Sequence, residues 1–457
     1  MTTSPPTTNQ HSTDSPFTYR AGELTCEGVS LAAVTAAVGT PVYVYSRADL
    51  EQRARAFVTA AGEAAGPEAL VCYAVKANGN PALLPLLRAA GLGADVTSGG
   101  ELFLALHAGV APERIIFSGV GKKESEIEEA LAAGIRALHV ESEMELAAVA
   151  AIAERLGRIA PIGVRVNPNI NAATHPYIST GLHGHKFGVP RERAVAMLRA
   201  AAAHSWLRPV GLAAHIGSQI TDLDPFAQSV RFLVQLAEEM AASGIRLQYI
   251  DAGGGLGIDY TGEAPDVADW VRTIAPLVAG AGYGLVIEPG RSIVGRAGAL
   301  LTRVVYTKEQ GAKRFVIADA GMTDLIRPTL YQAHHPILLV TEGISPQDAK
   351  KKGLGETALP WPLAPGPSSS LATAPEKLEV VDIVGPICET SDFLARERPM
   401  PPVAAGDLLA VLHAGAYGFA MSSNYNGHLR PAEVLVEGDT FRVIRRRQTY
   451  DDLLAGT

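Results

Sequence analysis

From residue 41 onward, short apolar runs alternate with longer stretches in which apolar residues recur every three or four positions. Runs rich in β-branched and aromatic residues at 41–46, 70–75, 93–96, 115–118, 137–140, 162–167, 210–216, 249–252 and 285–289 read as strands. A helical run follows the first of these through Ala65, and Ala-rich helical stretches at 101–108, 124–133, 143–156, 191–203 and 224–242 lie between later ones. From 70–75 onward the strand runs are near-continuously apolar, as in a parallel sheet covered on both faces. Eight strand-then-helix units in succession predict an α/β fold, a closed (β/α)₈ TIM-like barrel. One miscounted strand would turn the same pattern into an open, doubly wound sheet.

After Gly298 the long helices stop. Segments at 299–307, 314–318, 378–384, 408–412, 433–436 and 440–445 predict a second, mainly antiparallel β-barrel-like domain. Within it, residues 345–375 carry Lys-Lys-Lys-Gly, several prolines and Ser-Ser-Ser, a composition that buries little apolar surface and reads as an exposed insertion. The expected division is a disordered tail at 1–16, a segment at 17–45 packing with the β domain, the barrel at 46–298 and the C-terminal β domain at 299–457.

Composition narrows the function classes. The 457 residues are 47% hydrophobic and 19% charged, with 39 Lys plus Arg against 47 Asp plus Glu and a net charge of −8. No basic run would track a phosphate backbone, so nucleic acid is not an expected partner. Three scattered cysteines, Cys26, Cys72 and Cys388, make neither a disulfide framework nor a metal cluster, and they fit a reducing compartment. Residues 1–16 lack the basic start and apolar core of a signal peptide, and no apolar stretch is long enough to span a bilayer. A cytoplasmic protein with no membrane partner and no bound metal is expected.

In a (β/α)₈ barrel the chemistry belongs at the strands' C-terminal ends. The first ends in Lys76, within Val-Cys-Tyr-Ala-Val-Lys-Ala-Asn (71–78). A surface charge is the ordinary use of a lysine. Flanked by Ala, Val and Ala, however, this amine should have its pKa depressed by desolvation and become a nucleophile able to form a Schiff base. The second strand runs into Gly-Ala-Asp-Val (93–96), which carries Asp95, and the sixth ends in His215-Ile-Gly-Ser218. The seventh ends in Asp-Ala followed by Gly253, Gly254 and Gly255; this is either a flexible turn or, at the position where barrels bind phosphate, a backbone cradle. The eighth ends in Glu288, Pro289, Gly290 and Arg291, a simple ion pair or a functional one. An amine, a phosphate cradle and a carboxylate at the opposite rim together describe a pyridoxal phosphate site.

On these residues the chain resembles the barrel-type (fold type III) pyridoxal phosphate-dependent amino acid decarboxylases, over about residues 17–450. The shared motifs are Tyr73-Ala-Val-Lys-Ala-Asn78, His215-Ile-Gly-Ser218, the glycines at 253–255 and Glu288-Pro-Gly-Arg291. Four further motifs are similar to those of the diaminopimelate decarboxylases within that group: Thr174-His-Pro-Tyr-Ile-Ser-Thr-Gly181, the run from Asp319 to Tyr331, Cys388-Glu-Thr-Ser-Asp392, and the run from Gly415 to Asn426.

The resemblance implies decarboxylation of meso-2,6-diaminopimelate to L-lysine, the last step of lysine biosynthesis by that route, with pyridoxal 5'-phosphate as cofactor. It implies that Lys76 carries the cofactor and Cys388 donates the proton. Asp95, His215, Ser218, Gly254, Gly255, Glu288, Pro289, Gly290, Arg291 and Tyr417 would surround the cofactor. Arg291, Arg327, Tyr331, Glu389 and Tyr417 would contact the substrate. It implies a homodimer in which Cys388 and Glu389 reach the neighbouring subunit's barrel. For Cys388 the plainer reading is a buried inert thiol, for Arg327 and Tyr331 a surface pair, and for Tyr417 a turn aromatic. A decarboxylase of another basic amino acid or a carboxylated polyamine precursor is the alternative enzyme. A regulatory relative lacking cofactor is the alternative outside catalysis.

Overall fold

The computed structural model describes residues 15–170, 186–260, 264–341 and 378–457. The expected tail up to residue 14, the motif at 174–181 and the insertion at 345–375 lie outside the described residues.

Eight parallel strands close into a barrel, in chain order Leu70–Ala74, Gly93–Val96, Ile115–Phe117, Ala137–Val140, Ala160–Arg165, Leu207–Ala213, Tyr249–Asp251 and Gly284–Ile287. The last pairs with the first through Val286 opposite Leu70, so the sheet has no free edge. The barrel reading holds, and the open-sheet alternative falls.

Strand ends fall within about three residues of the boundaries set by the apolar runs, and the flanking helices begin where the sequence supplies caps. Ser46, Ser98 and Ser142 accept from the amides of Asp49, Glu101 and Glu145 at the starts of Arg47–Ala65, Gly99–His107 and Glu143–Leu156. Each such cap contributes about 1 kcal/mol.

The β domain is built round the long strand Gly298–Gln310, which pairs with Lys313–Ala318, Leu408–Val411 and Val42–Ser46. Val42–Ser46, read from sequence as a strand preceding the barrel, thus joins this sheet, between Gly298–Gln310 and Ala432–Glu437. The small sheet formed by Phe17–Arg20, Glu23–Cys26 and Val29–Ser30 docks onto the same domain, where Leu24 N–H donates to Val340 O at 2.7 Å. Besides the three strands of this small sheet, two were not foreseen, Ile337–Leu339 and Phe393–Met400. The second carries Arg396, Glu397 and Arg398 on a largely solvent-facing stretch, which hid the strand pattern.

The two halves meet at the barrel's C-terminal mouth. Asn78 Nδ2 donates to Gly415 O at 3.1 Å, Tyr417 N–H donates to Ala77 O at 2.8 Å, and Asn80 Nδ2 donates to the buried Glu433 at 2.7 Å. The loop directly after the first barrel strand is therefore clamped to the β domain.

On the barrel's outer side Trp270, in the helix Val267–Gly280, is fully buried, edge-on to Phe57 at 6.0 Å and Phe226 at 5.5 Å. Its indole Nε1 has no hydrogen-bond partner among the described residues, so truncation also relieves a desolvation cost. Trp270→Ala is expected to lower unfolding stability by about 2–4 kcal/mol. Denaturant titration of far-ultraviolet circular dichroism measures it, and a loss below about 1 kcal/mol would mean the site collapses without a cavity.

Candidate active site

Lys76 lies in a single 3₁₀ turn, Val75–Ala77, directly beyond the first barrel strand. Its Nζ sits 3.0 Å from Asp95 Oδ2 on the second strand, and about a third of the lysine side chain, 34%, remains exposed at the mouth. A depressed amine was expected here, and the structure gives the opposite. Burial does pull the ammonium down, but the attraction of Asp95, then Glu288 and Tyr417, outweighs it and holds Lys76 above its ordinary value. The sequence showed the apolar neighbours in the chain and not the carboxylates that other strands bring to it.

Behind the lysine, Asp95 and Asp251 are fully buried and Glu288 is nearly so. Asp95 Oδ1 has no hydrogen-bond partner among the described residues. Glu288 is pushed well above the usual carboxylate range by burial and then by its repulsion with Asp251 and Asp95. For Asp251 burial is again the main cause, and its pKa is raised to about 7. Glu288 and Asp251 therefore titrate as a pair that retains a proton near neutrality. The imidazole of His139 lies 3.9 Å from Asp251 and shares a 2.9 Å hydrogen bond with Tyr249, and burial keeps it neutral with a pKa of about 3.

On the other side, His215 Nδ1 accepts from the Gly254 amide at 3.2 Å, which leaves the proton on Nε2. Burial, with Lys76 and Arg165 nearby, keeps this ring neutral. A Cβ on Gly254 would fall 2.1 Å from Glu288 O, and one on Gly255, at φ +105°, 2.2 Å from Gly217 O. Only glycine lets these strands' ends approach so closely. The Gly254 amide, which the resemblance places beside the phosphate, orients His215 in this structure.

Ser218 Oγ accepts from Arg291 Nη2 at 2.8 Å, and Arg291 Nη1 donates to Tyr260 OH at 3.2 Å. The Arg291 guanidinium also lies 4.9 Å from the Tyr417 ring centre. Tyr417 holds φ +56°, a conformation that costs about 1–3 kcal/mol for a non-glycine residue and persists only where surroundings impose it.

Lys76, His215, Ser218, Gly255, Glu288, Gly290, Arg291 and Tyr417 line one cleft. A pyridoxal phosphate fits this set. The amine stands at the mouth, a proton-retaining carboxyl stands across from it, and the Gly255 and Gly290 backbones border the cleft without side chains to block an anion. Pro289 and Gly290 complete the rim, with Pro289 O accepting from Ala74 N–H at 3.1 Å.

The remaining predicted residues lie elsewhere. Arg327 and Tyr331 stand on the short helix Arg327–Tyr331 of the β domain. Arg327 is buried, so the surface-pair reading fails for it, and its Nη1 donates to Tyr260 OH and His335 Nε2, each at 2.8 Å. Tyr331 is half-buried one turn on. Cys388 and Glu389 are exposed on a loop anchored by Asp392, which accepts from the amides of Met322 and Ile387. The reading of Cys388 as a buried inert thiol fails with that exposure. Glu389 accepts from Tyr425 OH at 2.6 Å, and neither residue borders the cleft of Lys76 within one chain.

Asp251, Tyr260 and His335 were not singled out from sequence. Asp251 was visible as the residue opening the glycine motif, whereas nothing in the spacing marks Tyr260 or His335.

Residues 47–295 match the family described as pyridoxal-dependent decarboxylase, pyridoxal binding domain. The barrel with its amine and proton-retaining carboxyl thus defines a pyridoxal-dependent decarboxylase. Over 435 residues the chain is 45% identical to diaminopimelate decarboxylase of Aquifex aeolicus, covering 95% of each chain, and over 441 residues it is 45% identical to that of Pseudomonas aeruginosa, covering 96% and 98%. The crystal structure of the Helicobacter pylori diaminopimelate decarboxylase complexed with L-lysine superposes with a TM-score of 0.82 at 39% identity, covering 92% of this chain and 98% of that one. This chain belongs to the diaminopimelate decarboxylase family, and the expected fold, cofactor and carboxy-lyase class stand. No helix among the described residues is long and apolar enough to cross a membrane.

The field around Glu288 gives a stability test. A carboxyl whose folded pKa is raised binds its proton in the folded state when the unfolded chain has released it, so its contribution falls as pH rises from about 4 through 7. For protein stripped of cofactor, Asp251→Asn removes one member of the pair while keeping the oxygen that accepts from the Gly253 amide. The midpoint of thermal unfolding, variant minus parent, should be higher at pH 8 than at pH 5. The reverse order would mean that Asp251 is ionised across this range.

Proposed function

We propose that the chain removes carbon dioxide from meso-diaminopimelate to give L-lysine, with the residues gathered at the barrel mouth in the following roles. The observation that carries this reading is the pairing of two ends. One is the cleft in which Lys76 faces Asp95 and Glu288; the other is the buried cation Arg327, joined to Arg291 through Tyr260. A substrate with a second amino acid head needs a cation distant from the reacting carbon, and decarboxylases of ornithine or lysine have no such carboxylate to satisfy.

Bound pyridoxal phosphate supplies an electron sink for the pair of electrons left when carbon dioxide departs. Lys76 provides the amine that holds the cofactor's aldehyde and yields its place to the substrate amine. The proton retained near Glu288 is positioned to keep the pyridine nitrogen charged, since a buried carboxyl with that pKa gives it up only to a partner that remains beside it. His215, neutral and fixed by Gly254, presents its ring to the cofactor face. Ser218, aligned by Arg291, keeps its own hydroxyl proton for the phosphate. Tyr417 and Tyr331 border the substrate's path, and Glu389 takes the distal ammonium.

Cys388 delivers its Sγ proton to the carbon vacated by carbon dioxide. Its exposure within one chain supports a site completed by the neighbouring subunit, so the functional unit is a two-fold dimer with two equivalent shared sites. Three free cysteines support a cytoplasmic location.

Lysine formation from meso-diaminopimelate, with ornithine and arginine as comparators, tests the reaction. Lys76→Ala should abolish turnover and the visible absorbance of the bound cofactor while leaving the unfolding midpoint within a few degrees. Activity that survives would remove Lys76 from its role.

Lys76→Ala and Cys388→Ala chains, each nearly inactive alone, then test sharing. In a mixed dimer one site collects both defects and the other neither, so free exchange should restore roughly a quarter of all sites. Exchange verified with a tagged chain but without recovered lysine production would place both residues in one subunit.

A further inference from the structure

Two arginines stand close together at the junction of barrel and β domain, and one hydroxyl joins them. Tyr260 OH accepts from Arg291 Nη1 at 3.2 Å and from Arg327 Nη1 at 2.8 Å. Like charges at this range repel, and both side chains are buried, 6% and 4% exposed, so an acceptor between them offsets a real cost. The two cations in turn pull the phenol below its ordinary pKa, against the opposing effect of burial.

The donors of the two guanidinium groups are used unequally. Arg291 gives Nε and Nη2 to Ser218 and Nη1 to Tyr260, so most of its contacts face Ser218, the residue proposed to take the phosphate. Arg327 gives Nη1 to two acceptors, Tyr260 and His335 Nε2. His335 is fully buried and lies 2.8 Å from Leu412 O through Nδ1, which fixes the tautomer that leaves Nε2 as an acceptor. Arg327 Nε is buried with no hydrogen-bond partner among the described residues. A buried guanidinium donor without a partner costs on the order of 1–3 kcal/mol until a ligand satisfies it.

We infer that Tyr260 is a positioning residue for recognition of the substrate's distal carboxylate. With His335 it takes both protons of Arg327 Nη1, fixes the rotation of that guanidinium and leaves the Nε edge as the donor a carboxylate would meet. The inference rests on the proposed reaction, and it assigns carboxylate selection to Arg327 while Arg291 is held toward the phosphate. The head carrying that carboxylate is retained when carbon dioxide leaves the other end, so L-lysine meets the same contact as the substrate. A diamine without a carboxylate does not.

Tyr260→Phe keeps the ring and removes the hydroxyl. In cofactor-loaded enzyme it should raise KM for meso-diaminopimelate by about tenfold, the loss of one charge-assisted hydrogen bond, while kcat changes less. Calorimetry should show L-lysine binding weakened by a similar factor and inhibition by 1,5-diaminopentane unaffected. In an Arg327→Ala background the same substitution should add no further loss.

Unchanged lysine affinity would overturn the inference, and so would equal weakening of lysine and the diamine, the signature of a loosened site. If Tyr260→Phe does not load cofactor, Tyr260→Gln, which keeps an acceptor oxygen, takes its place. Lysine affinity within about threefold of the parent then supports the role, and parallel loss of lysine and diamine overturns it. Parent enzyme that makes no lysine from meso-diaminopimelate would defeat the proposed reaction. Normal turnover with an indifferent Tyr260→Phe would defeat only the role of Tyr260.

Discussion

One cation set among three buried carboxyl groups governs the mouth of this barrel. Lys76 neutralises Asp95 directly at 3.0 Å, and Asp251 and Glu288 accommodate their mutual repulsion by keeping a proton. None of these groups would be stable there alone, because a buried unpaired charge costs several kcal/mol. The cluster stores a proton at a site that also offers an amine. The remaining features of the mouth keep this cluster dry and aligned. Glycine turns press the strand ends together, His215 is pinned by a backbone amide, and the Asn78 loop is tied to the β domain.

The β domain contributes more than a second core. Its sheet takes in Val42–Ser46, so the barrel is inserted between two strands that are distant in sequence and adjacent in space. Glu433, on the strand next to Val42–Ser46, accepts from Asn80 at 2.7 Å and from Tyr45 at 2.7 Å and pairs with Arg445. Polar groups buried this deeply are satisfied only when both domains are in register, which couples the loop carrying Lys76 to the domain that carries Arg327 and Cys388. The residues proposed to hold the cofactor and those proposed to meet the substrate therefore lie on separate domains joined by these bonds.

Much of this was legible in the chain. Apolar runs gave the eight barrel strands because a parallel strand buried on both faces needs continuous apolar residues, and strand ends gave Lys76, His215, Glu288 and Arg291 because polar residues there break that continuity. Serines placed at Ser46, Ser98 and Ser142 set helix starts by local hydrogen bonds that require no partner distant in sequence. Phe393–Met400 escaped because its outward charges are tolerated by a partly exposed strand whose pairing lies with Glu379–Val384.

What the sequence by itself determined is the identity of the eight barrel strands, the main helices between them and the residues that end several of those strands, since all three follow from periodicity and short-range hydrogen bonding. Only the tertiary structure decided the direction of the Lys76 pKa, because Asp95, Glu288 and Tyr417 reach it through barrel closure and docking of the β domain, and Coulomb interaction depends on distance in space. It alone brought Tyr260 between Arg291 and Arg327 and placed His335 behind them, since these four come from separate segments of the two domains. And it alone left Cys388 exposed and away from Lys76, because which side of the β domain a loop faces is set by how that domain packs and not by the residues in the loop.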